Sequence, residues 1–351
     1  MTLQFLRRPL VRAALIGLVL CCFLAVVLRF VLPQVGLLTS SSRVLEEMTW
    51  WVVLLAVLAQ VLCYVCHGYV IRGLQAAFGE KLEFLRGVAI VMASYSLSMI
   101  WGGQLTNSAA TYRWLRRGGE TGEAAVLTGI ILPLLNTVSF ALFSAIGLVF
   151  LLAYGELSTV LVVLFGIALL LVLSALGITW WLMRHRAEMV VALDLLSRQW
   201  ARFRRRTYEP ESSREAISRL TTALDHFFVG RWQRAVLGDF LSAACDFATL
   251  YILFFAAGYT MSPGVALAGY GLPLLAGKLS ILPGGLGVIE GGMAALYLSL
   301  GVPGEVVVVV VIGYRLLSFW IPVLLGFPLA IVLDRGLLIA TTPPPAGSAP
   351  E

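Results

Sequence analysis

The sequence predicts an all-α integral membrane protein with about six full spans plus two re-entrant helical hairpins, set in two inverted halves. Three observations lead there. Of 351 residues, 60% are apolar and 13% charged, with a mean hydropathy of +0.92, whereas a soluble domain is about 45–50% apolar and about 25% charged. Apolar runs near the length of a bilayer span, about 20 residues, recur along the chain. The basic residues fall where simple alternation of spans cannot keep them on one side. This composition excludes a soluble enzyme, a disordered chain and a disulfide-rich secreted domain. The five Cys lie in apolar runs and suggest no oxidised framework.

The run 10–32 is flanked by Arg7, Arg8 and Arg12, and no small-residue cleavage site follows it, so it reads as an uncleaved first span. The run 49–71 carries Trp50 and Trp51 at one end, where interfacial aromatics belong. Runs 84–104, 124–152 and 158–183 follow, then polar residues 184–234, runs 235–259 and 264–282, a Gly-rich stretch 283–304, and the run 305–333. The tail, 336–351, reads as disordered.

Charge sets the orientation. Residues 184–234 hold eleven Arg and no Lys, which makes that loop cytoplasmic; the N-terminus and 72–86 follow by the same rule. If 84–104 crossed fully, Arg113, Arg116 and Arg117 would face outside, and so would the eleven-Arg loop. Both conflicts vanish if 84–112 enters from the cytoplasm and returns to it. Its Ser94, Tyr95, Ser96, Ser98, Gln104, Asn107 and Ser108 suit a segment buried in protein or beside a wet cavity. Arg335 places the C-terminus inside, which requires 264–303 to enter and leave from the outer side. The chain then divides into a first membrane half 1–183, a cytoplasmic basic amphipathic linker 184–234, and a second membrane half 235–335. Met189, Leu193, Leu196, Trp200 and Phe203 give that linker its helical spacing. A weak internal repeat agrees: at an offset of 182, Gly102, Gly103, Gly119, Gly122 and Glu123 meet Gly284, Gly285, Gly301, Gly304 and Glu305, and Trp50 meets Trp232. Inverted repeats with broken helices near the midplane are a transporter signature.

Ionisable groups in apolar segments are the candidate site: Asp239, Asp246, Lys278, Glu290 and Arg315. Each costs about 2.5–3.5 kcal/mol at a helix centre unless paired or hydrated. Arg315 is the deepest; it suits a lipid phosphate, which a guanidinium binds bidentately, or an internal ion pair with Glu290 that locks the hairpin. Glu290 suits a pair partner, a proton-coupled group or a contact for a cationic head. Lys278 is a candidate partner for Asp246. Tyr112 and Arg113 leave the first hairpin, where Arg113 could sit at a cavity mouth. The pattern Cys63-Tyr64-Val65-Cys66-His67 matches a haem-attachment spacing. It lies in the inner half of a span, so His67 reads as a polar helix–helix contact. No metal-ligand cluster, nucleophile–base spacing or nucleotide site stands out, so neither a metal nor another cofactor is expected. Nor is nucleic acid expected as a partner.

The residues LPGGLGVIEGG, LGVP and GYRLLSFWIPVLLG within 282–326 resemble the C-terminal signature of the lysylphosphatidylglycerol synthase transmembrane-region family. SYSLSM and TYRWLRRGG within 94–119 resemble its first-half pattern. The resemblance covers nearly the whole chain and puts Tyr112, Arg113, Pro283, Gly284, Gly285, Gly287, Glu290 and Arg315 on motif positions. It implies a flippase-like domain without the aminoacyl-transferase part, so synthase activity is not expected. Pro133 stands at the repeat position of Arg315, which makes any substrate site asymmetric. The expected function is a bacterial inner-membrane lipid translocator, not an enzyme, with both termini cytoplasmic. Its substrate would be a phospholipid or lipid-linked head group. Expected partners are anionic inner-leaflet lipids, a further copy of the chain or a separate transferase. The alternatives are an accessory subunit or enzyme of lipid or glycan synthesis, and a small-solute transporter.

Overall fold

The computed structural model describes residues 42–101, 103–154, 232–280 and 282–336, with scattered positions between 163 and 224 and residue 338. Apart from those scattered positions, the expected spans 10–32 and 158–183, residues 184–231 of the expected linker 184–234 and residues 339–351 of the expected tail 336–351 lie outside the described residues. The described residues form helices joined by short turns, with no strand among them. The elements are α1 (Ser42–Glu47), α2 (Trp50–Ala77), α3 (Phe84–Trp101), α4 (Gly103–Arg117), α5 (Gly122–Tyr154), α6 (Trp232–Ala256), α7 (Pro263–Leu279), a 3-10 turn (Pro283–Gly285), α8 (Val288–Ser299), α9 (Gly304–Arg315), a π-helical turn (Leu316–Trp320) and α10 (Ile321–Asp334).

Among the described residues, four helices are long and apolar enough to cross a membrane: α2, α5, α6 and the continuous α9–α10 rod, Gly304–Asp334. They coincide with the expected spans 49–71, 124–152, 235–259 and 305–333. Helix α2 runs six residues further than its apolar run, to Ala77, because Gln75 is buried there and donates to Thr128 at 2.7 Å. Leu54, Leu55 and Leu58 on α2 and Leu324 and Leu325 on α10 are exposed, an outward apolar face suited to hydrocarbon.

The centre of the fold is the antiparallel pair α2–α6. Cross-contacts run in opposite order along the two helices: Ala256 O accepts from Thr49 N at 2.9 Å, Asp246 Oδ1 from Gln60 Nε2 at 3.2 Å, and Cys63 O from the Ser242 hydroxyl at 3.1 Å. His67 Nδ1 shares a hydrogen bond with the same Ser242 hydroxyl, the polar helix–helix contact expected of it. Cys63, Cys66 and Cys245 are free thiols.

Two helical hairpins flank this pair. In the first, α3 and α4 fold back on each other: Ser94 and Thr111 hydroxyls lie 3.0 Å apart, and Arg86 Nη2 donates to Trp114 O at 2.7 Å. The base is closed by a buried ion pair, Arg86 Nη1 to Glu120 Oε1 at 2.9 Å. Arg86 belongs to the basic stretch 72–86, and its pairing with a carboxylate 34 positions away carries no signal in the charge pattern. In the second, α7 and α8 are antiparallel, with Tyr297 OH donating to Ala266 O at 2.9 Å.

Each hairpin packs on a long helix from the other half of the chain. Helix α3 lies on α10, where the Ser96 hydroxyl donates to Val323 O at 2.7 Å. Helix α7 lies on α5, where a Cβ on Gly147 would stand 2.5 Å from Ala268 N and one on Gly271 2.6 Å from Ser144 N. Glycine there lets the two backbones approach directly, as small residues do at membrane helix crossings.

Helix α10 follows a π-helical turn, and Pro322 has no N–H to return to the turn before it. The Ser318 carbonyl is met from across the fold by Tyr64 OH at 2.6 Å. Tyr64→Phe removes this donor and is expected to lower stability by about 1 kcal/mol. Thermal unfolding of the detergent-purified protein checks it; an unchanged midpoint would mean the carbonyl finds another donor.

Candidate functional site

The two hairpin tips converge on a cavity of about 190 Å³. The first tip contributes Ser98, Gly103, Gln104 and Asn107, and the second contributes Lys278, Ser280, Gly284 and Gly285. The remaining wall comes from the middle turns of the long helices: Gln60, Tyr64 and His67 of α2, Asn136 of α5, Asp246 of α6, and Tyr314, Arg315 and Phe319 where α9 meets the π turn. Both tips therefore end at mid-length of the helices long enough to span.

The second tip is built by glycine. Gly284 has φ +63°, and a Cβ there would lie 2.3 Å from the Phe319 ring; Gly285 has φ +64°, and its Cβ would lie 2.9 Å from Gly277 Cα. Both the left-handed backbone and the close approach exclude a side chain. Gly287, φ +81°, is the N-cap of α8, and its N–H donates to Glu290 Oε2 at 2.7 Å. Glu290 Oε1 accepts from Arg315 Nε at 2.6 Å, Arg315 Nη2 donates to Gly284 O at 3.0 Å, and the guanidinium carbon sits 4.3 Å from the Phe319 ring centre. Of the two readings open for Arg315, the geometry supplies the internal ion pair. It fastens the glycine turn to the last long helix, while the same guanidinium stands in the cavity wall.

Lys278 and Asp246 both reach the cavity but do not pair with each other. Asp246 Oδ1 accepts from Gln60, and Oδ2 accepts from Tyr270 OH at 2.9 Å and Tyr314 OH at 2.7 Å. Lys278 Nζ donates to Asn136 Oδ1 at 2.5 Å and Thr137 Oγ1 at 3.2 Å, and lies 4.8 Å from the Phe140 ring centre. Asp239 sits deeper in the α2–α6–α5 packing, where Oδ2 accepts from the Ser139 hydroxyl at 2.6 Å; its Oδ1 and the Nε2 of His67 are buried without a hydrogen-bond partner.

Tyr112 and Arg113 are not on the cavity wall. Arg113 Nη2 donates to both carboxylate oxygens of Asp334 at 3.0 Å, Trp114 Nε1 donates to Asp334 at 3.1 Å, and Arg117 joins the same carboxylate. This cluster ties the base of the first hairpin to the end of α10, away from the tips. The expected position at a cavity mouth therefore gives way to an exposed ion cluster, because Asp334 outcompetes open solvent for three donors.

Sequence reasoning missed Gln60, Tyr64, His67 and Asn136 as wall residues. Their signal was present: each is a polar or half-polar side chain in the middle of a long apolar run.

Polar groups buried among long apolar helices and converging on one interior cavity define a multi-pass membrane protein. Residues 9–326 match the family of the lysylphosphatidylglycerol synthase TM region, and the chain belongs to that family. No curated protein matches the chain.

Proposed function

We propose that the protein is a lipid translocator of a bacterial inner membrane, flippase-like, and not an enzyme. A phospholipid or lipid-linked head group would cross through the polar cleft between two re-entrant hairpins while its acyl chains stay in the bilayer. The observation that carries this reading is the meeting of two hairpin tips at a cavity on which polar side chains converge, level with the middle of four long helices. A charged head needs such a hydrated path because hydrocarbon excludes it.

Two features support the re-entrant, inverted arrangement. The hairpin arms have 18, 15, 17 and 12 residues. At 1.5 Å per residue they reach about 18–27 Å, short of a hydrocarbon core of about 30 Å. Helix α6 starts 182 residues after α2, and α9 starts 182 residues after α5, while α2 and α6 run antiparallel. That is the offset of the glycine repeat. In this topology both termini and the arginine-rich linker face the cytoplasm, where the linker meets anionic lipid heads. A homo-oligomer or a separate transferase is the protein partner such a domain would take.

The test is head-group translocation of fluorescent phospholipids by the purified protein in liposomes. Movement is expected with the wild type, and at least about a tenfold loss with Asn107→Leu, which narrows the polar path without touching the Arg315 pair. Uptake of a water-soluble solute without lipid movement would select a solute transporter; turnover of a lipid donor would select an enzyme. Cysteine labelling at positions 107 and 288 checks the topology: reactivity of position 107 from outside alone would overturn the first re-entrant hairpin.

A further inference from the structure

The polar groups between α2 and α6 lack one hydrogen. His67 lies in the cavity wall and is 6% exposed; Asp239 is 1% exposed. The antiparallel register that sets Gln60 against Asp246 sets His67, seven residues on, opposite Asp239, seven residues back. His67 Nδ1 lies 3.1 Å from Cys63 O, an atom that only accepts, so the neutral ring carries its hydrogen on Nδ1. Its Nε2 is then a bare acceptor. Nε2 and Asp239 Oδ1 are both buried, and neither has a hydrogen-bond partner among the described residues. Two bare acceptors within electrostatic reach of each other are costly in a medium of low dielectric. One proton on Nε2 turns an acceptor into a donor and sets an imidazolium against a carboxylate.

Asp239 also serves a second cation. Lys278 is its other electrostatic partner, and Lys278 stands in the cavity wall with the neutral oxygens of Asn136 and Thr137. A proton on His67 commits Asp239 to the imidazolium and leaves the Lys278 charge to the cavity; loss of the proton returns Asp239 to Lys278. The charge that the cavity presents therefore follows the proton. The other titratable groups facing His67 are Cys63 and Tyr64 of its own helix, Asp246 of α6 and Tyr95 of α3. Helix α5 faces Asp239 with the neutral Ser139, and Arg315 of α9 is held by Glu290.

From this arrangement we infer that His67 and Asp239 form a binding site for one proton, filled from the cavity, and that its filling is coupled to movement through the cavity. The inference rests on reading the protein as a translocator and names the energy source, a proton gradient. By linkage, whatever occupies the cavity alters proton binding by the same factor as the proton alters its own binding. The proton comes from water and returns to water, and no electron moves. Sodium suits the pair less well: a hard cation takes several oxygens, and here one carboxylate oxygen stands with a nitrogen.

The experiment uses the full chain in liposomes with fluorescent phosphatidylglycerol, a pH difference of about one unit, and the membrane potential held at zero. A membrane-impermeant quencher reads the steady-state ratio between leaflets. One proton per lipid sets a limit of about tenfold, and at least about threefold enrichment is expected, reversing when the gradient is reversed. A tenfold sodium gradient should give a ratio of about one. His67→Gln and Asp239→Asn should each bring the pH-driven ratio to about one. Lipid movement in the wild type with an even distribution overturns the coupling and leaves the translocator reading standing. Nitrogen NMR of the histidine-labelled chain tests the site apart from transport; there are three His, and His67→Gln identifies the signal. Lowering the pH from about 8 to about 5 should add hydrogen at Nε2 with Nδ1 already occupied. Asp239→Asn should lower the ratio of protonated to bare Nε2 at a given pH at least about tenfold. An Nε2 that stays bare, or an unchanged ratio in Asp239→Asn, overturns the proton site whatever the lipid does. Proton binding that depends on Asp239, without lipid movement, supports the site and overturns the translocator reading. If one variant does not fold, the other and the gradient reversal in the wild type decide.

Discussion

Glu290→Ala is expected to lower stability by about 3–5 kcal/mol, because it strands a buried guanidinium. The side chain of Arg315 is 4% exposed, and its Nε has Glu290 as acceptor. The same substitution removes the acceptor that caps Gly287 at the start of α8. Glu290→Gln keeps one acceptor oxygen for these roles and should cost less, about 1–2 kcal/mol. The decisive variant is the double replacement Glu290→Leu with Arg315→Met. Removing both charges should recover most of the loss, since an apolar pair of similar size often matches a buried ion pair. Thermal unfolding in detergent reads all three. If the double variant is as unstable as Glu290→Ala, the stranded charge is not the cause and the cap or the Gly284 contact must be.

Gly326→Val and Gly147→Val should each cost about 3 kcal/mol, the upper end of the overpacking range. A Cβ on Gly326 would lie 2.0 Å from Ser96 Oγ and 2.2 Å from Met92 O, and one on Gly147 would lie 2.5 Å from Ala268 N. In both places backbone stands in the way, and backbone cannot rotate aside as a flexible side chain does. Each substitution separates one hairpin from the long helix of the opposite half and moves its tip out of the cavity. Gly291→Ala is the control. Nothing lies within 4 Å of its added carbon, so it should be neutral or stabilising by about 0.5–1 kcal/mol. Equal losses at all three positions, measured by thermal unfolding, would mean that helix flexibility rather than close packing governs them.

Four of the spans and the two helical hairpins were legible because hydrophobicity and charge act over whole segments. A run of about 20 apolar residues has few alternatives, and the arginine pattern made 84–112 and 264–303 candidates for turning back. One helix ends at Trp101 and the next starts at Gly103, and the second break is at Pro283–Gly285; both fall inside those windows. Pairing was only partly legible. Glu290 with Arg315 could be named because a Gly-rich turn sits beside one deep guanidinium. Lys278 with Asn136 could not, since a neutral amide carries no charge signal and the contact depends on how α7 lies along α5. Arg113 was misplaced for a related reason: its carboxylate, Asp334, is more than two hundred positions away in the sequence and belongs to the other half. Single-chain patterning gives segments and the places where the chain turns back. It does not say which helix of the second half covers which hairpin of the first.

The exchange of hairpins between halves also sets a timetable for biogenesis. Helix α7 emerges from the ribosome when its support, α5, has already been made. The first hairpin ends at Arg117, and its support, α10, begins at Ile321, 204 residues later. At about 5–20 residues per second the interval is about 10–40 s. During that time Ser96, Met92 and the arms around them have no α10 to lie against. Substitutions in α10 should therefore register as insertion and quality-control defects of a segment synthesised long before it.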